Sequence, residues 1–186
     1  MRVISGTAKG TKLNSIEEMS TRPTLDRVKE ALFNIVQTKI EDSIVLDLFS
    51  GSGALGLESL SRGAKKAVLC DKSYEAIDII KKNINKTHFE EKTKVLCMDY
   101  KKCLSTIDEK FDLIFIDPPY KLDIAVNSAE IILDNNLLSP DGIIIIETDE
   151  EEREIQKIKK LSNIEIINLR TYGRVKLIFL KMKKRG

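Results

Sequence analysis

Apolar residues in this chain follow two rhythms that take turns. Short runs at Ile44 to Phe49, Ala67 to Cys70, Lys94 to Met98, Leu113 to Ile116 and Ile143 to Ile146 have the length and β-branched content of buried strands. Between them the spacing turns helical. Leu25, Val28, Leu32, Ile35 and Val36, following Pro23, predict a helix from Thr24 to about Thr38, and Ala54 to Ser61 predicts one closed by Gly63. Ala76, Ile77, Ile80 and Ile84 stripe another, Ile124 to Leu133 mark a further one, and a short charged helix falls near Glu152 to Leu161. Alternating strands and helices are the mark of βαβ units, whose crossovers impose a parallel sheet. The end of the chain breaks the pattern: Ile164 to Leu169 and Val175 to Met182, separated by Tyr172-Gly173-Arg174, predict an antiparallel hairpin. Residues 1 to about 20 hold two short apolar-polar pieces around Gly6 and Gly10, which read as a hairpin or loop arm outside the core.

Composition narrows the class of protein. A length of 186 residues suits one α/β domain with a small appendage, and no repeat or low-complexity tract is present. No stretch approaches the roughly 20 apolar residues of a membrane span. The opening Met1 to Gly6 also lacks the apolar core of a signal peptide, so a cytoplasmic protein without a membrane partner is expected. Cys70, Cys97 and Cys103 are odd in number and the first two fall in apolar runs, which predicts buried reduced thiols rather than a disulfide or zinc framework. The net charge of +2 announces no polyanionic partner, although the two ends are basic. His88 lies in a polar stretch without a partner motif and reads as a surface residue. The acidic run Glu147 to Glu154 lacks the glycine and alternating ligands of a calcium loop, so it reads as a solvated helix start and no metal is expected.

Two segments carry candidate chemistry. Leu113 to Ile116 run into Asp117-Pro118-Pro119-Tyr120, and because proline cannot donate to a sheet ladder, the strand stops there with Asp117 at its carboxyl end. Ligands of open α/β sheets bind along that edge, so an acceptor-only carboxylate beside an aromatic ring suits a flat substrate bearing an amino group. The first strand ends in Asp47-Leu48-Phe49-Ser50-Gly51-Ser52-Gly53-Ala54-Leu55-Gly56, and Asp71 lies 20 positions after Gly51. The glycines and Asp71 fit a dinucleotide such as NAD. Asp47, set just before the loop, would repel a pyrophosphate. S-adenosylmethionine, with a positive sulfonium and no phosphate, suits Asp47, Asp71 and Asp99 together, whereas taken singly each acid reads equally as a helix N-cap.

With these segments the sequence resembles the class I S-adenosylmethionine methyltransferases, and more narrowly the RsmD-type bacterial small-subunit ribosomal RNA guanine-N2 methyltransferases. The resemblance rests on Met1 to Gly6, on Thr21-Arg22-Pro23-Thr24-Leu25-Asp26-Arg27-Val28-Lys29-Glu30-Ala31-Leu32-Phe33-Asn34, on Leu46 to Glu58, and on Asp117 to Tyr120. It implies a Rossmann-like three-layer sandwich with a mostly parallel seven-stranded sheet of order 3-2-1-4-5-7-6, strand seven antiparallel. Residues 1–23 would form an RNA-contacting arm and residues 24–186 the methyltransferase domain. It further implies catalysis by Asp117, Pro118, Pro119 and Tyr120, cofactor binding by Asp47, Phe49, Gly51, Gly53, Asp71, Asp99 and Tyr100, and RNA contacts from Arg2, Lys9, Lys12, Arg22, Thr24 and Arg27. The expected partner is ribosomal RNA or a small-subunit particle, bound by a monomer. Adenine-N6 methylation is one alternative, because many enzymes that methylate exocyclic amines, adenine-N6 enzymes included, share the Asp-Pro-Pro-Tyr corner, and a non-catalytic RNA-binding assembly factor on the same fold is the other. Asp117 is expected to work without a large pKa shift, since the amine turns acidic only as the new bond forms.

Overall fold

The computed structural model describes residues 1–15, 23–119, 123–149 and 151–183, with the side chains of residues 23–25 and 151 outside the description. Its seven strands, β1 (Ile44–Asp47), β2 (Lys66–Asp71), β3 (Thr93–Cys97), β4 (Phe111–Ile116), β5 (Leu138–Thr148), β6 (Ile164–Tyr172) and β7 (Val175–Met182), form one sheet of order β3-β2-β1-β4-β5-β7-β6. β7 is antiparallel to both its neighbours, and the pairs from β3 across to β5 are parallel. The expected architecture and strand order are therefore present. Six α-helices are described: α1 (Pro23–Val36), α2 (Ala54–Ser61), α3 (Tyr74–Thr87), α4 (Tyr100–Thr106), α5 (Ile124–Asp134) and α6 (Glu151–Ile158). None of the described helices is long and apolar enough to cross a membrane.

Strand periodicity creates the three layers, because successive side chains point to opposite faces. Val45, Leu113, Phe115 and Ile145 join the core under α1, α2 and α3, while Leu46, Ile114, Ile116 and Ile146 join the core under α4 and α5. Continuous apolar runs in the central strands are thus required by burial on both sides.

Several boundaries depart from the expected ones. β5 starts at Leu138, before the apolar run, and its exposed Pro140 and Asp141 disguise that beginning. α6 covers Glu151–Ile158 instead of 152–161. Cys97 ends the edge strand β3 and is exposed, while Cys70 and Cys103 are the buried thiols. β3 has a partner on one side only, so an apolar run there does not guarantee burial.

The N-terminal hairpin is part of the core rather than outside it. Arg2 bridges Lys12, Val3 N–H donates to Thr11 O, and Val3 and Leu13 sit 0% and 6% exposed in the same cluster as α1 and α2. Glu58, fully buried on α2, accepts from the backbone N–H groups of Ile4 and Ser5 at 2.8 and 3.0 Å and pairs with Lys29 and Arg62. Asn83 on α3 accepts from Asn14 N–H and donates to Asn14 O and Ser52 O, joining the hairpin to the glycine loop.

Candidate functional site

Four strand ends deliver acids to one sheet edge. Parallel pairing of β1 with β2, β4 with β1, and β5 with β4 puts Asp47, Asp71, Asp117 and Glu147 along the carboxyl side of the sheet. Asp47, Asp117 and Glu147 line one cavity of about 200 Å³, together with Phe49, Gly51 and, from the hairpin side, Met1 and Lys29.

The loop after β1 is shaped by its glycines. Gly51 and Gly53 adopt φ of 53° and 78°, the left-handed region in which a side chain is strained, and Gly53 opens α2 without a side-chain cap. Gly51 N–H donates to Asp71 Oδ2 at 2.9 Å, while the other Asp71 oxygen accepts from Ser73 N–H. Asp71 thereby fixes the loop from β2. Asp47 accepts from Gly56 N–H at 3.1 Å, so the first turn of α2 hangs on the buried carboxyl.

Crowding of acids sets the electrostatics. Asp47 is 2% exposed, and burial pushes its pKa up to about 7, opposed by the Gly56 N–H and reinforced by the charge of Asp71. Asp117 is raised well above the usual carboxylate range, first by burial, then by the nearby charges of Glu147 and Asp47. Asp117 thus departs from the expectation that it works without a large shift, because burial first and the neighbouring carboxyls second disfavour its charged form. Burial raises Glu147 as well. Asp117 and Glu147 are both half-buried, and neither has a hydrogen-bond partner among the described residues. The cavity is thus an acceptor-rich chamber fit for a ligand that brings positive charge and N–H donors.

Other expected site residues lie at varying distances from this chamber. Pro118 is half-buried and Pro119 exposed beyond the end of β4, while Tyr120 is outside the described residues. Asp99 is exposed and caps α4 by accepting from Lys101 N–H at 2.9 Å, so its visible work is that of a cap, and it does not line the cavity. Tyr100 follows it and tilts against the Phe49 ring, with centroids 5.5 Å apart, which joins α4 to the cavity wall. Arg2, Lys12 and Arg27 are exposed around a second, open groove of about 680 Å³ that also contains Asp26 and Glu30, and Met1 belongs to both spaces. Arg2 approaches Asp26 at 3.4 Å. Lys9 is exposed in the hairpin turn, away from that groove; Arg22 and the Thr24 side chain lie outside the description.

Glu147 and Lys29 are cavity residues that the sequence pattern left unassigned. Glu147 had been absorbed into the acidic run, yet it is a strand residue of β5 rather than part of a solvated helix start. The signal was present: Ile143 to Ile146 followed by Glu147 repeats Leu113 to Ile116 followed by Asp117.

Comparison with known proteins adds a family. The family model described as "Conserved hypothetical protein 95" matches residues 1–181. "Putative rRNA methyltransferase YlbH" of Bacillus subtilis is 35% identical over 189 residues, covering 100% of both chains. "Ribosomal RNA small subunit methyltransferase D" of Haemophilus influenzae is 35% identical over 156 residues, which covers 82% of this chain and 80% of that protein. Among solved structures, "Putative methyltransferase yhhF from Escherichia coli" superposes with a TM-score of 0.84 at 27% identity, covering 100% of this chain and 99% of that one.

Proposed function

The chain belongs to the family described as conserved hypothetical protein 95, and we propose that it transfers a methyl group from S-adenosylmethionine to the N2 amine of a guanine in small-subunit ribosomal RNA. The observation that carries this reading is the shared cavity: the glycine loop and buried Asp47 open on the same space as Asp117. The Bacillus subtilis and Haemophilus influenzae relatives carry names of ribosomal RNA methyltransferases, which supports the choice of substrate.

The residues present fit the cofactor. S-adenosylmethionine supplies an electrophilic methyl group on a positively charged sulfur. Asp47 would face its positive end, Asp71 its ribose through the loop it holds, and the Phe49–Tyr100 wall its adenine side. A pyrophosphate cofactor fits worse, because Asp47 and Asp117 would both repel it.

Asp117 and the carbonyl of Pro118 would accept the two hydrogens of the amine, localising its lone pair toward the methyl carbon. Asp117 would take the proton that the amine nitrogen can release only as it becomes methylated. Pro119 would keep this corner rigid, and Tyr120 would stack on the base turned out of the RNA, a contact worth roughly 1–3 kcal/mol. Arg2, Lys12 and Arg27 would meet phosphates along the neighbouring groove, and Lys9, Arg22 and Thr24 would add further RNA contacts.

The test is incubation of the protein with methyl-labelled cofactor and RNA from small subunits lacking the modification, followed by nucleoside analysis. Labelled N2-methylguanosine is expected. Labelled N6-methyladenosine would replace the guanine assignment, and no transfer to any RNA would favour a binding role.

A further inference from the structure

Glu147 follows the apolar run of β5 as Asp117 follows that of β4. The parallel register pairs Phe115 with Ile145 and Ile116 with Ile146, the residues just before the two acids, and Asp117 feels the charge of Glu147. Both line the cavity, and neither is hydrogen-bonded by a described residue. Both carboxyls remain open to the cavity, so together they form an acceptor pair that a ligand's donors can satisfy.

The sheet divides the cavity's work. Asp47 and the glycine loop belong to β1, next to Asp71 on β2, whereas Glu147 stands across β4 on β5. Neighbouring strands lie about 4.8 Å apart, so Glu147 is roughly 10 Å from the β1 end. Asp117 lies between them. The cofactor's positive end therefore falls to Asp47, and Glu147 faces whatever Asp117 holds on the far side.

We infer that Glu147 is a specificity residue that accepts the N1–H of the guanine whose 2-amine is held by Asp117. This rests on the preceding proposal and deepens it. Guanine presents N1–H beside its 2-amine, a run of donors that two adjacent carboxyls match. Adenine presents the bare N1 lone pair beside its 6-amine, and Glu147 in its ionised form, which the cofactor's positive charge favours, would meet a lone pair and no hydrogen. The Asp-Pro-Pro corner alone accepts either amine; Asp117 with Glu147 selects guanine.

The experiment uses the whole protein and RNA in which the target guanine, located from the wild-type product, is replaced by 2-aminopurine or 2,6-diaminopurine. Both analogues keep the 2-amine and lack N1–H. Wild-type protein is expected to prefer guanine over each by about tenfold or more in kcat/KM, as a lost specific base contact requires. Glu147→Gln, whose amide N–H can donate to a bare N1, should bring that preference down at least about tenfold, partly by gaining activity on the analogues. Glu147→Asp should retain the guanine preference at reduced kcat. Cofactor affinity, measured by calorimetry, should stay within about threefold for both variants, which also verifies folding. Equal wild-type use of guanine and the analogues overturns the inference without touching the methyl-transfer proposal, and requires no variant to fold. So does an unchanged preference in Glu147→Gln, or a loss of cofactor affinity that matches the loss of turnover. Absence of any N2-methylguanosine from the wild-type reaction overturns both.

Discussion

The Lys29 ammonium and the Glu58 carboxylate meet at 3.1 Å with 6% and 0% of their side chains exposed. Glu58 also receives Ile4 N–H, Ser5 N–H and Arg62, while Lys29 donates to Arg2 O. One buried carboxylate on the helix after the glycine loop thus fastens the hairpin, and Lys29 extends the network to the cavity wall. Burial pulls the Lys29 pKa down, opposed mainly by Glu58, so the ammonium depends on its partner.

Glu58→Gln should therefore leave a buried cation uncompensated and destabilise the protein by about 3 kcal/mol, in the range for breaking a buried pair. Urea unfolding measures the loss, and hydrogen exchange at the Ile4 and Ser5 amides should accelerate. Adding Lys29→Met to the same chain should recover part of the stability. A Glu58→Gln protein with unchanged urea midpoint would show the network to be dispensable.

Gly6 and Gly10 separate contact from backbone strain in the same hairpin. Both have φ near +85°, at 83° and 88°. A Cβ on Gly6 would lie 1.7 Å from Ser61 O, whereas one on Gly10 meets nothing within 4 Å. Gly10→Ala should cost about 1–2 kcal/mol, the left-handed penalty alone. Gly6→Ala should cost clearly more and expose the hairpin to proteolysis, because Thr7 N–H and Ala8 N–H both dock on Ser61. Equal denaturation midpoints for the two variants would contradict this docking.

Arg27 is exposed on α1 at the second groove, together with Arg2 and Lys12. If it meets an RNA phosphate, Arg27→Ala weakens RNA binding and lowers the slope of log affinity against log salt by about 1. Fluorescence anisotropy over a salt series reads both quantities. A weaker affinity with an unaltered slope would mean that Arg27 acts without neutralising a phosphate.

How much was legible in the sequence depended on how local the cause was. Central strands announce themselves because both faces are buried, and the glycine loop because left-handed turns need glycine. The docking of Val3 and Leu13 was hidden, since it depends on Glu58, which is 54 positions from Ile4. Cys97 looked buried because a run does not reveal that its strand lies at an edge. Asp99 fits a cap and a ligand equally well in sequence, and only the Lys101 N–H contact makes the capping visible. Glu147 carried the same apolar-run-then-acid signal as Asp117, masked by the acids that follow it.

Asp117→Asn should lower methyl transfer by at least about a hundredfold, the scale on which positioned proton acceptors act. Cofactor affinity should remain within a fewfold, because Asp47 and the glycine loop are untouched. Asparagine keeps the shape but replaces one acceptor oxygen with a donor. Single-turnover kinetics and calorimetry on the same preparation check the split. Parallel loss of affinity and turnover would move Asp117 from the amine to the cofactor.

Asp47 predicts opposite pH trends for stability and for cofactor binding. Its folded pKa of about 7 lies above the ordinary 3.8, so between those values the folded ligand-free protein holds a proton that the unfolded chain has released. Stability then falls as pH rises through this window, by on the order of 4 kcal/mol once Asp47 is ionised in the folded state. Asp47→Asn removes the buried charge, so its contribution to this slope should vanish, and at pH 8 the variant should be more stable than wild type. A positively charged cofactor favours the ionised form, so wild-type affinity should rise with pH toward about 7 and level off above it, with a proton released on binding below that pH. Calorimetric titrations in two buffers of different ionisation enthalpy count that proton, and thermal melts across the same pH range follow the stability. Identical pH dependence of stability and proton release in wild type and Asp47→Asn would remove Asp47 as the titrating group.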